Sequence, residues 1–254
     1  MASYSDPSQW WRTLATSGET HHYIAIRDQI ASRIGTDNLP PGSKLPSERQ
    51  LQIGAGMARG TIREALFQLE AEGLIYRRDR SGWYVCNPPV VYDPTRWSGF
   101  MTYVAEQGHR PETQTLATAE RTAGDAGVHV GVAAEATLYQ IDRRRLIDGR
   151  PVLVERILVN PAMAPGLFRF SLDGSLSRIL KDEFGVVVAR NCVDMRPCAL
   201  VGEQAAALGV KPGTPGLKLV RTSFDHADRV VEYDHEYWRH DALRIHVETI
   251  VTAD

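Results

Sequence analysis

Apolar residues recur with the spacing of an α-helix in the first third of the chain. One face of the segment 23–34 is apolar, which predicts a helix that buries this face. Gly35 and then Pro40 and Pro41 end the helix, because proline lacks a backbone donor and clashes with the preceding turn. The apolar face consists of Tyr23, Ile26, Ile30 and Ile34.

Two further helices and a β-hairpin are predicted next. Ser47 and Gln50 have the spacing of a capping box, so a second helix should begin at Ser47. A third helix is predicted over 59–72 and ends at Gly73, a residue that suits a helix C-terminus. The hairpin is predicted from strands at 74–78 and 83–86, with a turn at 79–82. Three helices followed by a hairpin are the order of a winged helix-turn-helix.

Strands predominate after the double proline at Pro88 and Pro89, which stops the hairpin. An antiparallel sheet with a few helices accounts for this part of the chain, so the expected fold class is α+β. The predicted strands are 136–147, 151–159, 193–200, 217–224 and 230–238, and the predicted helices are 176–184 and 203–208.

The domain prediction follows from these elements. An N-terminal extension is predicted at 1–19, in which Trp10 and Trp11 are interpreted as a small docking spot on a loosely ordered segment. The remaining domains are a winged helix-turn-helix at 20–88, a linker at 89–97 and a second domain at 98–254.

Composition and charge exclude several classes of protein. With 43% hydrophobic and 24% charged residues among 254, the chain is neither disordered nor fibrous. No secretory signal or bilayer-spanning run is expected, and three cysteines without CxxC spacing indicate a reducing cytoplasm.

Residues 1–90 hold 10 basic and 9 acidic side chains within a total net charge of −2. A case for DNA binding therefore depends on where the arginines lie.

The third helix carries the arginines suited to DNA. Arg59 and Arg63 are four residues apart and share a face, with Thr61 between them. Guanidinium groups bind phosphate oxygens and the guanine edge. Arg49 begins the second helix, and Gly82 stands at the tip of the wing. The alternative interpretation is a solvated surface with ion pairs such as Arg59 or Arg63 with Glu64.

Three strings of residues strengthen the first interpretation: GSKLPSER at 42–49, RGTIREAL at 59–66 and LEAEGLI at 69–75. Over residues 21–87 the chain closely resembles the DNA-binding domain of GntR-family regulators. The resemblance implies operator contacts by Arg49, Arg59, Thr61, Arg63 and Gly82. Met57 and Ala58 depart from the Val-Ser usual in the family, so a weaker helix cap is expected.

In the second domain, Arg143 and Arg145 are two apart on a predicted strand and project from one face. Two guanidiniums on one face repel unless an anion, such as a phosphate or phosphonate, lies between them. A two-residue turn at 148–149 would place Val154 opposite Arg143, and a three-residue turn would place Glu155 there. We favour the three-residue turn because it pairs opposite charges, while a surface charge ladder remains the alternative.

A second charged face is predicted on the last long strand. Acidic and aromatic side chains on one face can hold an ammonium by charge and cation–π attraction. This face consists of Glu232, Asp234, Glu236 and Trp238. The spacing of His235, His240 and His246 does not bring them together, so neither a metal nor a cofactor is expected.

From about residue 98 to 254 the chain resembles the effector-binding (UTRA) domain of the HutC subfamily of GntR regulators, which has a chorismate-lyase-like fold. The resemblance is carried by Arg143 and Arg145, DGRPVLVE at 148–155, LDGSL at 172–176, LGV at 208–210 and RHD at 239–241. It implies that the effector is bound by Ser98, Gly99, Arg143, Arg145, Glu155, Ser175, Glu232 and Trp238. Trp238 and Ser177 depart from the aromatic pattern of sugar-phosphate binders, which favours a smaller effector.

Three other strings resemble regulators of phosphonate utilisation: RSGWYV at 80–85, YDPT at 92–95 and EYWRHDALRI at 236–245. They favour a 2-aminoethylphosphonate-type effector, with a sugar phosphate or an imidazole acid as alternatives. The expected protein is a homodimeric regulator of palindromic operator DNA without catalytic residues. An enzyme with a lyase-like domain and a binding protein without operator function are the other hypotheses.

Overall fold

The computed structural model describes residues 22–36, 39–78, 81–96 and 98–249. The predicted extension at 1–19, with Trp10 and Trp11, and the turn residues 79 and 80 lie outside this part. The chain divides into two units, residues 1–89 and 90–254, and each is described by itself.

The first unit contains three helices and a hairpin, which confirms the predicted winged helix-turn-helix. Each helix turns one apolar face toward a shared core that includes Ile26, Leu66 and Trp83. The elements are α1 (His22–Gly35), α2 (Glu48–Ala55), α3 (Arg59–Ala71), β1 (Ile75–Arg78) and β2 (Gly82–Val85).

The short turn between α2 and α3 is set by its caps. The predicted capping box is present. The backbone N–H of Gln50 donates to Ser47 Oγ at 3.3 Å, and the backbone N–H of Ser47 donates to the side-chain Oε1 of Gln50 at 2.9 Å. Gly56 ends α2 at φ 65°, which glycine adopts without strain. α3 then starts after Ala58, whose side chain makes no cap hydrogen bond, as the missing hydroxyl predicts.

The second unit mixes strands and helices, as the predicted α+β class requires. The strands are β3 (Val90–Tyr92), β4 (Pro111–Thr122), β5 (Thr137–Ile147), β6 (Arg150–Val159), β7 (Arg190–Leu200), β8 (Thr214–Phe224), β9 (Val230–Arg239) and β10 (Leu243–Ile245). The helices are α4 (Phe100–Glu106), α5 (Gly127–Val130), α6 (Leu176–Phe184) and α7 (Gly202–Leu208).

Six of the strands form one antiparallel sheet in the order β4-β5-β6-β9-β8-β7. Helices α4 and α6 cover one face of this sheet, and α5 and α7 cover the other.

The predicted linker at 89–97 requires a correction. Residues 90–92 form β3, which pairs in parallel with β10 through Val90 and Leu243 and through Tyr92 and Ile245. Val90 and Tyr92 are buried, because β-branched and aromatic residues suit a strand that packs on one side. These three residues therefore belong to the second unit.

The hairpin between β5 and β6 places Glu155 opposite Arg143, as predicted, but the predicted three-residue turn is wrong. Ile147 pairs with Arg150 across a two-residue turn. Asp148 and Gly149 occupy this turn at φ 53° and 76°, the left-handed conformation of a tight hairpin turn.

A β-bulge restores the register that the short turn would have lost. Leu146 pairs with Pro151 but Arg145 pairs with Leu153, so Val152 is an extra residue on β6. Proline has no backbone N–H to donate, and bulges accommodate it. The bulge, rather than the turn, brings Glu155 to the arginine face.

The uncapped start of α3 generates a stability prediction. Ala58→Ser supplies the missing hydroxyl at the N-cap and should raise the free energy of unfolding by roughly 0.5–2 kcal/mol. Urea unfolding of the full chain measures this change. Ala71→Ser, at the other end of α3, is the control and should not stabilise. Equal effects of the two substitutions would contradict the capping explanation.

Candidate functional site

The exposed surface at the start of α3 presents two arginines to solvent. The side chains of Arg59 and Arg63 are 71% and 46% exposed, so neither is turned inward. Their neighbouring carboxylate is Glu48 on α2, with Oε2 at 3.6 Å from Arg59 Nη2 and 4.0 Å from Arg63 Nε. The predicted alternative of pairing with Glu64 is not what the geometry shows. Such loose, exposed pairs are weak, which leaves both guanidiniums available to an anion.

Glu48 also connects this surface with the wing. Trp83 on β2 donates from Nε1 to Glu48 Oε1 at 3.5 Å, and the Trp83 ring meets Phe67 of α3 edge-on at 6.0 Å. α2, α3 and β2 therefore meet around one carboxylate. Sequence reasoning missed Phe67, although its place four residues after Arg63 on α3 was a usable signal.

The other predicted DNA contacts lie in the same unit. Arg49 is exposed and Thr61 is half-buried. Gly82 has φ 107°, and a Cβ there would stand 3.5 Å from Lys44 Cε. This value of φ strains any side chain at the position, which accounts for the glycine.

The second unit contains a cavity of about 40 Å³ between the sheet, α4 and α6. It lies on the face of the sheet that carries Arg143. Seven of the predicted effector residues line it: Gly99, Arg143, Arg145, Glu155, Ser175, Glu232 and Trp238. Ser98 does not line it and lies instead in a neighbouring groove beside Tyr92 and Tyr103.

Arg143 and Arg145 share one buried carboxylate. Glu155 Oε1 accepts from Arg143 Nε at 2.5 Å and from Arg145 Nε at 3.0 Å. Burial by itself raises the pKa of Glu155, but the two guanidiniums hold it below its usual value. A carboxylate of the chain itself thus bonds to both arginines, and the three groups together carry one positive charge.

Arg143 is also tied to the loop before α6. Its Nη1 donates to the carbonyl oxygens of Leu172 and Gly174 at 3.3 and 3.4 Å. Ser175 caps α6 by accepting from the Arg178 amide at 3.3 Å. The start of α6 therefore faces the same cavity as the arginine pair, and helix N-termini favour anions.

The same face of the sheet is acidic where β9 borders the cavity. Glu232, Asp234 and Glu236 are 7%, 4% and 3% exposed. Glu236 is bound by Arg221 Nη2 at 2.5 Å and by Trp238 Nε1 at 2.6 Å. Within the described part of the chain, Glu232 Oε1 and Asp234 Oδ1 are buried without a hydrogen-bond partner.

These two carboxyls are shifted toward their neutral forms. Burial raises the pKa of Glu232, although Arg143 and Arg221 oppose the shift. Burial also raises the pKa of Asp234 well above its usual value, and the negative charges of Glu155 and Glu236 add to this effect.

Sequence reasoning missed Arg221 as a site residue. It lies on β8 opposite Asp234 of β9, and its Nη2 also donates to the Tyr92 hydroxyl at 3.3 Å. Its Nε is buried and has no partner among the described residues. A usable signal was the short connection between the predicted strands 217–224 and 230–238, which favours a hairpin that brings Arg221 beside the acidic face of the last long strand.

The described residues lack two further kinds of site, a metal-binding cluster and a membrane-spanning helix. No cluster of three or more His, Cys, Asp or Glu suited to a metal occurs among them. None of the helices in the described ranges is both long and apolar enough to cross a membrane.

Comparison with known proteins identifies the family. The UTRA domain model matches residues 106–244, and the model of bacterial regulatory proteins of the gntR family matches residues 22–85. This chain belongs to the GntR family of transcriptional regulators. The regulator is 31% identical over 206 residues to the HTH-type transcriptional regulator YihL of Escherichia coli, covering 80% of this chain and 87% of YihL.

More distant relatives agree with this assignment. The HTH-type transcriptional repressor NagR of Bacillus subtilis is 25% identical over 221 residues, covering 86% of the regulator and 90% of NagR. The crystal structure of PhnF from Mycobacterium smegmatis matches with a TM-score of 0.64 at 24% identity, covering 89% of the regulator and all of that chain. This structural likeness shows the fold. The matched families and relatives are regulators, so the hypothesis of an enzyme is not supported.

The buried ion pair generates a prediction about stability. Glu155→Gln leaves two buried guanidiniums without a counter-charge and should destabilise the protein by roughly 3–5 kcal/mol. Urea unfolding of the full chain measures the change. Glu203→Gln is the matched control, because the Glu203 side chain is 92% exposed.

The pH dependence of the same variants has a definite sign. Since the folded protein lowers the pKa of Glu155, its stabilisation is present above the unfolded pKa of about 4.3 and is lost as pH falls through the folded value. The difference in stability between wild type and Glu155→Gln should therefore shrink in acid. A difference that is constant with pH would contradict the ion-pair account.

Proposed function

We propose that this GntR-family regulator acts in the cytoplasm as a homodimer that binds palindromic operator DNA and responds to a small phosphonate of the 2-aminoethylphosphonate type. The DNA-binding residues proposed are Arg49, Arg59, Thr61, Arg63 and Gly82. The effector-binding residues proposed are Gly99, Arg143, Arg145, Glu155, Ser175, Glu232 and Trp238, which line the cavity, whereas Ser98 lies outside it. The winged helix-turn-helix is taken as residues 20–88 and the effector domain as 90–254.

The DNA-binding proposal is supported by the exposed start of α3. Arg59 and Arg63 project from one face of a helix that is backed by an apolar core, and their partner Glu48 is loosely placed. One short helix contacts few base pairs, so two copies on a palindrome are needed for specificity. A homodimer supplies the second helix.

The effector proposal is supported by the arginine pair, which is the observation that carries it. Arg143, Arg145 and Glu155 leave one net positive charge at a cavity faced by the start of α6. A phosphonate group has oxygens for both guanidiniums and for the amides at the helix start. The likeness of three sequence strings to phosphonate-utilisation regulators points to the same ligand class.

The size of the cavity favours a small effector. The free space of about 40 Å³ is a few times the roughly 10–15 Å³ that one water molecule needs. An effector of several non-hydrogen atoms must therefore enlarge the cavity, which is lined in part by the rings of Phe100 and Trp238. A two-carbon phosphonate requires less enlargement than a sugar phosphate.

Enlargement also provides the means of regulation. An effector that binds one dimer arrangement better than another shifts the population toward it and changes the spacing of the two DNA-binding heads. The enlarged cavity is the state that the effector selects.

Substitution of the α3 arginines tests the DNA-binding proposal. Arg59→Ala and Arg63→Ala should each weaken binding to a duplex that the wild type selects from a random library. If each arginine contacts a phosphate, each substitution should lower the slope of log affinity against log salt by about 1. Fluorescence anisotropy at several salt concentrations measures both quantities.

Arg178→Ala is the control for that experiment, because Arg178 is exposed on α6 and should leave DNA affinity unchanged. If the α3 variants bind as tightly as wild type at matched salt, the start of α3 does not contact the operator. If the wild type enriches no duplex from the library, the protein is a small-molecule binder without operator function.

A thermal-shift series tests the effector class. We expect 2-aminoethylphosphonate to raise the Tm, since a ligand at 100 times its Kd stabilises by about 2.7 kcal/mol. A hexose 6-phosphate and imidazole-4-acetate are the comparison ligands. If the hexose phosphate alone raises the Tm, the phosphonate proposal is wrong and the sugar-phosphate alternative holds.

A further inference from the structure

The cavity holds more carboxylates than its arginines bind. Three guanidiniums line it, from Arg143, Arg145 and Arg221, and four carboxyls face them. Glu155 binds the first two arginines and Glu236 binds the third. The two carboxyls left over are Glu232 and Asp234, each with a buried oxygen that has no partner within the described residues.

Such an arrangement lowers the stability of the folded protein. A buried polar group without a hydrogen bond is destabilising, and a buried charge without a partner is more so. A purely anionic ligand would not relieve this cost, because it brings neither a positive charge nor an ammonium donor to the two acids. A ligand that also carries a cation would relieve it.

We propose that Glu232 and Asp234 form an amine subsite, in which Asp234 distinguishes an effector that carries a primary ammonium from an anion of the same size without one. The proposal rests on the effector role of this cavity. It adds Asp234 to the binding residues and defines the ligand class as a small zwitterion, with its anion toward Arg143 and Arg145 and its ammonium toward β9.

The geometry supports this division of the cavity. Glu232 and Asp234 are neighbours on the same face of β9, on the cavity wall. An ammonium has three donors, enough for the two unpartnered oxygens.

The protonation of Asp234 makes the subsite measurable. The ionisable groups that face Asp234 are Arg143 and Arg145 on β5, Glu155 on β6, Arg221 on β8, Glu232 and Glu236 on β9, and Tyr103 on α4. Burial and the acidic neighbours raise its pKa, and a bound ammonium would lower that pKa again. Below the raised pKa, binding of the amine therefore releases a proton, and affinity increases as pH rises through it.

A pair of ligands tests the proposal by calorimetry: 2-aminoethylphosphonate and ethylphosphonate, which lacks the amine. Wild type should bind the amine ligand at least about tenfold more tightly, a difference of about 1.4 kcal/mol. In Asp234→Asn most of this ratio should vanish, while ethylphosphonate affinity stays within about twofold of wild type, an allowance for ordinary context effects. Titration in two buffers of different ionisation enthalpy should show proton release for the amine ligand in wild type and less in the variant.

Two controls test whether a change in binding comes from loss of folding or from a general effect of removing a carboxylate. Asn is nearly isosteric with a neutral Asp, so Asp234→Asn should keep the wild-type Tm. Asp194→Asn removes an exposed carboxylate from β7 and should leave both affinities unchanged. Glu232→Gln should reduce the preference for the amine ligand in the same direction as Asp234→Asn.

The remaining outcomes separate this inference from the effector proposal. Equal affinity of wild type for the two phosphonates overturns the amine subsite and leaves the phosphonate effector standing. A loss of affinity by the same factor for both ligands in Asp234→Asn also overturns the subsite. If neither phosphonate binds, the effector proposal and the amine subsite both fall.

Discussion

The carboxylate of Glu155 neutralises one of two neighbouring positive charges that are buried in the second unit. Two guanidiniums two residues apart on a strand repel each other, and burial removes the water that would screen them. Because Glu155 bonds to both Arg143 and Arg145, the sheet can carry a cationic face in its interior. Arg143 also bonds to the loop before α6, and Arg221 binds Glu236 on the same face of the sheet.

Helical spacing predicted the DNA-binding unit well, because each of its helices buries one narrow face in a small core. The capping residues Ser47 and Gln50 are local signals as well. The pattern did not predict β4, an edge strand that is largely exposed beyond its first residues, so no alternation marks it. α4 has seven residues, less than two helical turns, and too few for its period to show.

The site was predictable where contacts are local in sequence. Arg143 and Arg145 share a face by strand alternation, and the hairpin confines Glu155 to two possible positions. The preferred position was right although the turn was wrong, because the bulge at Val152 compensates for it. Arg221 reaches the cavity through the hairpin of β8 and β9, whose register was not worked out from the sequence. Tyr103 reaches it through the packing of α4, which no local pattern contains.

The pairing of β3 with β10 has a consequence for synthesis of the chain on the ribosome. β3 is made early, but its partner is made only after the whole six-stranded sheet, since Val90 pairs with Leu243. The described backbone hydrogen bonds of the DNA-binding unit end at Cys86. The ribosome therefore finishes this unit long before it finishes the second unit. Closing so long a loop is slow because its entropy must be lost first. The DNA-binding unit of the nascent protein can therefore fold while the second unit still lacks its last strand.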